Sequence, residues 1–163
     1  MSVRSGNLAR GQSGDMIERV GNLWECQADW LCIPTNGERR ANGSAVMGAG
    51  LAKQAMLKCH GVDVRLGKLL AENGNHTQFL GTWAVDGVSV RLISFPTKTK
   101  WRESSDIDLI RRSAKELRGL LLSEEDVIAL PRVGTGCGNL GWGIVRPVLK
   151  EELPEDRFIV VSQ

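Results

Sequence analysis

The stretch VGTGCGNLGW, residues 133–142, carries four glycines, at 134, 136, 138 and 141. Glycine inside a regular element costs about 0.5–1 kcal/mol relative to alanine. A cluster therefore signals unusual dihedrals or something lying close against bare backbone. Gly134, Thr135, Gly136, Cys137 and Gly138 follow an apolar run, DVIALP (126–131), and precede a stretch of helical spacing. At such a junction backbone N–H groups converge and the helix N-terminus adds partial positive charge, which favours a phosphate. A second stretch, VMGAGLAKQ (46–54), sets Gly48, Ala49 and Gly50 at the mouth of another helix. Two such loops point to a pyrophosphate held between them, at the carboxyl ends of the strands of an open α/β sheet.

Two better-known phosphate motifs do not fit. Gly136-Cys137-Gly138-Asn139-Leu140-Gly141 matches G-x-G-x-x-G, but that motif opens a βαβ unit and wants an acidic residue roughly 20 positions later on the next strand. Here the next strand runs into Ser162-Gln163. No glycine loop is followed by the Gly-Lys-Ser/Thr of a P-loop. Metal chemistry finds no support: His60 and His76 lack a second ligand at metal spacing, and Cys26, Cys32, Cys59 and Cys137 form no C-x-x-C pair. Reduced thiols in a cytoplasmic protein are expected.

The elements that must position these loops follow from the apolar pattern. MIERV (16–20) reads as a short first strand and DWLCIPT (29–35) as a buried one, stopped by Asn36-Gly37. Residues 36–50 form a long loop that feeds a helix in which Leu51, Ala55 and Cys59 share a face. A second helix covers about 62–72. FLGTWAV and VSVRLISF flank Asp86-Gly87, a strong hairpin signal. Ser105-Asp106-Ile107-Asp108 reads as an S-x-x-D capping box with Ser105 as the cap. The helix behind it places Ile110, Ala114, Leu117 and Leu121 inward and Arg111, Lys115 and Arg118 on a solvated stripe. A buried strand (126–131), the glycine loop, a helix from about Gly143 to Leu153 and a last strand, RFIVVS, complete the pattern. Strands alternating with helices, with one antiparallel hairpin, imply an α/β fold with a central mixed sheet.

At 163 residues the chain suggests one domain with a core that needs no staples. The polar, glycine-bearing residues 1–15 read as a flexible lead-in and 16–163 as the domain. A net charge of +2 argues against a long nucleic-acid grip, so general nucleic-acid binding through KTKWR (98–102) is the weakest reading. No apolar run reaches the roughly 20 residues of a membrane helix.

Three stretches carry a family resemblance: ADWLCIPTNG with GSAVMGAGLAKQA, then ISFPTKTKWRESS, then LPRVGTGCGNLGW. They resemble the signature segments of macro domains, three-layer α/β/α modules that bind ADP-ribose. FPTK with the following WR and S is similar to the branch containing terminal ADP-ribose protein glycohydrolase and the antitoxin that removes ADP-ribose from DNA thymidine.

The resemblance implies a ligand-binding set. Asn22, beside Leu23, stands where the family usually has an aspartate contacting the adenine amino group. Asn36 faces the distal ribose. Gly48, Ala49 and Gly50 pass beside that ribose and one phosphate, and Gly134, Thr135, Gly136, Cys137 and Gly138 cradle the diphosphate, with Thr97 and Arg132 in the same set. On this reading a pyrophosphate against the backbone amides leaves no room for Cβ atoms. Lys98 matches a lysine used as nucleophile at the anomeric carbon of that ribose, where a neutral amine displaces the modified group and forms a Schiff base that water releases. Burial, Lys100 or Arg102 could favour the neutral amine, whereas a diphosphate opposes it. An aspartate that works with the lysine in the protein-directed enzyme corresponds to Gly138, and no acid occurs between Pro131 and Pro147. Trp101 could stack on a base, while Trp142, Trp24, Trp30 and Trp83 read as packing. Cys137 is expected to contribute only its backbone. The implied function is an ADP-ribosyl glycohydrolase acting on modified DNA or protein, as a monomer without cofactor. A non-catalytic ADP-ribose-binding module and an ADP-ribose 1″-phosphate phosphatase are the alternatives.

Overall fold

Alternate residues of the apolar runs feed opposite faces of one sheet, as the strand period of two requires. The computed structural model describes residues 14–120 and 123–163. Along it lie β1 (Ile17–Val20), β2 (Trp30–Thr35), α1 (Gly50–Lys58), α2 (Val62–Asn73), β3 (Phe79–Val85), β4 (Val88–Pro96), α3 (Ile107–Gly119), β5 (Ile128–Leu130), α4 (Trp142–Glu152) and β6 (Phe158–Ser162). The sheet order is β1-β6-β5-β2-β4-β3, parallel throughout except for the β3–β4 hairpin. The α/β/α expectation and the mixed sheet stand.

Leu31 and Ile33 of β2, Ala129 of β5 and Ile159 of β6 pack with Ala55 and Cys59 of α1 and Val62 and Leu66 of α2. Cys32, Ile128, Leu130, Phe158 and Val160 face the other way, onto Ile110, Ala114 and Leu117 of α3 and Val145 and Leu149 of α4. The central strands are thus apolar on both faces, as parallel strands covered by helices must be. Asp86 (φ 51°) and Gly87 (φ 79°) make the hairpin turn with both central residues left-handed, as the sequence predicts.

Two local expectations change. The cap of α3 is Asp106, whose Oδ1 accepts from the amides of Asp108 and Leu109 at 2.9 and 3.4 Å. Ser105 is instead drawn beneath the glycine loop, its amide donating to the Gly138 carbonyl at 2.8 Å. The basic stripe of α3 is also not merely solvated: Arg111 pairs with Glu152 at 2.7 Å and Arg118 with Glu155 at 2.9 Å, tying α3 to α4 and the turn beyond it. Leu121 and most of the 1–15 lead-in lie outside the described residues. No helix among those described is long and apolar enough to cross a membrane.

Candidate functional site

The carboxyl ends of β1, β6, β5, β2 and β4 open into one cleft of about 990 Å³. From β1 to β4 there are four inter-strand steps of about 4.8 Å, so its floor runs roughly 19 Å. That is long enough for an extended nucleotide sugar with one end at β1 and the other at β4. Lys98, Asn22, Leu23, Asn36, Gly48, Ala49, Gly50, Thr97, Arg132, Gly134, Thr135, Gly136, Cys137 and Gly138 all line it. Residues far apart in the chain meet here because parallel strands deliver every β-to-α loop to the same edge.

At the β1 end, Asn22 caps the short turn Leu23–Glu25, its Oδ1 accepting from the Trp24 amide at 2.9 Å. Leu23 is buried beneath it. In the middle, Asn36 spends both polar groups on its own loop: Nδ2 donates to the Val46 carbonyl at 3.1 Å and Oδ1 accepts from the Glu38 amide at 2.9 Å. It thereby fixes the approach to Gly48. Thr97 is buried, and its amide donates to the Thr35 carbonyl at 2.9 Å, continuing the β2–β4 ladder into the cleft.

At the β4 end, Lys98 Nζ donates to the carbonyls of Cys137 at 3.0 Å and Trp101 at 3.2 Å. One amine therefore pins the β4–α3 turn to the glycine loop. The backbone behind it is held as well, since Asn75 Nδ2 donates to the Lys98 carbonyl at 3.0 Å. Trp101 is 47% exposed, with the Arg102 guanidinium 4.9 Å from its ring centre. Arg132 lies over the ring of Trp142 at 5.1 Å, and that indole donates to Glu18 at 3.2 Å. Glu18 also receives the Arg146 guanidinium at 2.8 Å. Partial burial pushes the Glu18 carboxyl up, but the hydrogen bonds from Arg146 and Trp142 and the nearby charges outweigh it, and its pKa lies below 4.5.

The glycine loop is built differently from what the sequence suggests. A Cβ at Gly134 would come within 2.5 Å of Ile110 Cδ1, and one at Gly138 would collide with Ser105 Oγ. At these two positions the protein's own core excludes a side chain, and no ligand is needed to explain them. Gly136 and Gly50 have φ of +62° and +55°, which only glycine adopts freely. Gly48 and Gly141 are the exceptions: neither φ is left-handed, and a Cβ at either would meet nothing within 4 Å.

Several cleft residues were missed from the sequence. Glu103 brings a carboxylate to the wall, its Oε1 accepting from the Lys100 amide at 3.0 Å. Gln54 lines the cleft while accepting from the Trp24 indole at 2.9 Å. The buried hydroxyls of Thr35 and Ser105 line it without a hydrogen-bond partner. Only the density of charge in KTKWRES (98–104) hints at Glu103. All four cysteines are unpaired; Cys137 is exposed, while Cys26, Cys32 and Cys59 are buried, and burial pushes the Cys59 thiol up to about 11. No cluster of potential metal ligands occurs among the described residues.

No family model matches the sequence, and no curated protein does. Solved structures do. The macrodomain of Mycobacterium tuberculosis DarG superposes with a TM-score of 0.72 at 24% identity, over 91% of this chain and 97% of that one. The chain has the macrodomain fold. The macrodomain of Thermus aquaticus DarG gives 0.69 at 24% identity, over 91% and 97%. Thermosipho africanus DarTG, solved in complex with ADP-ribose, gives 0.72 at 21% identity, over 89% of this chain and 42% of that one. The lead-in plus a single domain over 16–163 remains the sequence-based division.

Proposed function

We propose that this macrodomain binds ADP-ribose along the cleft and removes it from modified DNA or protein, with Lys98 as the nucleophile. The observation that carries the catalytic part is the setting of Lys98 Nζ. The carbonyls of Cys137 and Trp101 hold Nζ between the glycine loop and the β4–α3 turn, at the end of the cleft where the distal ribose would lie. Attack on the anomeric carbon of the distal ribose breaks the bond to the modified group, which leaves with a proton. The sugar ring opens to a Schiff base on Nζ, and water hydrolyses it, freeing ADP-ribose and the lysine. The proton for the leaving group comes from water or from Glu103, the cleft-wall carboxylate that stands in the absence of any acid in the glycine loop.

Binding is supported by the length of the cleft, by its two glycine loops, and by Gly48, where neither packing nor dihedral calls for glycine. A ligand passing against that backbone supplies the reason. The ADP-ribose complex of Thermosipho africanus DarTG, on the same fold, points the same way. Asn36 then acts through the loop it holds, and Thr97, Thr135, Cys137 and Arg132 bring backbone groups and one guanidinium to the diphosphate. The protein works as a cytoplasmic monomer without cofactor.

A second reading, an ADP-ribose-binding module without turnover, is favoured by one observation: the glycine loop carries no acid, and a Cβ at Gly138 would collide with Ser105 Oγ. The two readings part in a single experiment. Wild type and Lys98→Ala are incubated with DNA ADP-ribosylated on thymidine and with glutamate-modified protein, and released ADP-ribose is measured. Release by wild type that falls at least 100-fold in Lys98→Ala is expected, following a nucleophile's share of the barrier. Equal release by both removes Lys98 as nucleophile. No release by either, with ADP-ribose still bound at micromolar concentration in calorimetry, leaves the binding module.

A further inference from the structure

Asn75 does not line the cleft, yet its Nδ2 donates to the Lys98 carbonyl at 3.0 Å. Gly74, with φ of +86°, turns the chain off the end of α2 and delivers Asn75 to that carbonyl. The loop is then staked to α3. The Arg112 guanidinium donates to the Asn75 carbonyl. The Glu116 carboxylate meets His76 Nδ1 at 2.7 Å and accepts from the Thr77 amide at 3.1 Å. Thr77 Oγ1 donates to the Ser113 carbonyl at 3.1 Å. Gly37 keeps the approach clear: a Cβ there would lie 3.0 Å from Asn75 Nδ2 and 3.1 Å from the Thr99 carbonyl oxygen. The φ of Gly37 is not left-handed, so this close approach is the reason for glycine.

We propose that Asn75 is a positioning residue for the Lys98 amine, a role that rests on Lys98 acting as the nucleophile. The Lys98 stem leaves a Cα set between two peptide planes. The plane before it is held through the Thr97 carbonyl, which accepts from the Asp106 amide at 2.9 Å. The plane after it is held through the Lys98 carbonyl, by Asn75. Without that donor only one plane is fixed, and the stem can tilt. Nζ stands at the far end of a long, unbranched stem, so a small tilt becomes a displacement of the attacking atom. A misplacement of about 1 Å costs about 100-fold in rate. The grip of the Cys137 and Trp101 carbonyls on Nζ holds the shift to a fraction of that, and a loss of about tenfold is expected. Asn75→Asp keeps the shape of the side chain but replaces the donor by an oxygen that only accepts, which sets it against the carbonyl.

The test measures kcat and KM for release of ADP-ribose from thymidine-modified DNA and from glutamate-modified protein, with calorimetric titration of ADP-ribose beside it. Wild type, Lys98→Ala, Asn75→Ala, Asn75→Asp and Arg112→Gln are compared. Both Asn75 variants are expected to lose about tenfold in kcat, with KM and the ADP-ribose Kd held within about threefold. Arg112 is exposed, so Arg112→Gln spares the core while freeing the Asn75 carbonyl, and it should lower kcat in the same direction by less. It decides the matter if the Asn75 variants do not fold: an unchanged kcat in Arg112→Gln then overturns the inference. Where release depends on Lys98 but the Asn75 variants keep kcat within twofold of wild type, Asn75 positions nothing and the nucleophile reading survives. Loss of kcat and of ADP-ribose affinity by like factors would make Asn75 a support of the whole cleft, and positioning is wrong. If wild type releases nothing, or no more than Lys98→Ala, the nucleophile reading fails and takes this inference with it.

Discussion

Replacing Gly134 by alanine should destabilise the protein through two separable effects. Gly134 has φ of +78°, a conformation that costs a residue with a Cβ about 1–2 kcal/mol. The new Cβ would also lie 2.5 Å from Ile110 Cδ1, and Ile110 is fully buried in the layer between the sheet and α3. It cannot swing aside into solvent. Overpacking of this kind costs about 1–3 kcal/mol. Together the two come to about 2–5 kcal/mol, a large part of a typical domain's total of about 5–15. The contact can be relieved without touching the loop, because Ile110→Val deletes Cδ1. Alone, that change costs about 0.5–1.5 kcal/mol. Combined with Gly134→Ala it makes room for the new methyl, so the double variant should sit only about 1–2 kcal/mol below wild type, the dihedral part. Urea unfolding of the four proteins, with midpoints and slopes compared, reads the coupling directly. Additivity within 0.5 kcal/mol, or a Gly134→Ala protein within 1 kcal/mol of wild type, would refute packing as the reason for this glycine.

Two further outcomes follow from the site. A thiol reagent applied to the native protein should modify Cys137 quickly and the buried Cys26, Cys32 and Cys59 only on unfolding, and ADP-ribose should slow the first reaction; modification of more than one thiol before unfolding would contradict the burial pattern. Glu18 has a folded pKa below its ordinary 4.5, so its pairing with Arg146 and Trp142 contributes fully above about pH 4.5 and fades as pH falls through the lowered folded value. The gap in urea midpoint between wild type and Glu18→Gln should therefore narrow as the pH drops below 4.5, and a gap that stays constant to about pH 3 would show that the carboxylate's charge is not what matters.

The fold could be read from the chain where one physical signal dominated. DWLCIPT and RFIVVS are apolar on both strand faces, and Asp86-Gly87 supplies the dihedrals of a tight hairpin, so tertiary contacts only reinforced what local chemistry dictated. The cleft was legible because parallel strands force their following loops to one edge, and the two glycine loops mark that edge. The cap of α3 was not, since Ser105 and Asp106 are both good caps. The choice fell to a contact 33 positions away, where Ser105 slides under Gly138. The reason for Gly134 and Gly138 escaped for the same cause: a glycine that faces a ligand and one that faces Ile110 look identical in a sequence. Glu103 and Gln54 carry no local pattern and reach the cleft only through the folded path of their turns.

The grip of Lys98 on two loops has a bearing on how a reaction cycle would end. Free, the amine holds the Cys137 and Trp101 carbonyls together. Once its nitrogen is double-bonded to a sugar carbon, at most one N–H remains, so one wall of the cleft must let go. The covalent intermediate would thus loosen its own enclosure, admitting the water that ends it and opening an exit for the product. Amide exchange at residues 99–103 that quickens during turnover, and not on simple binding, would be its signature.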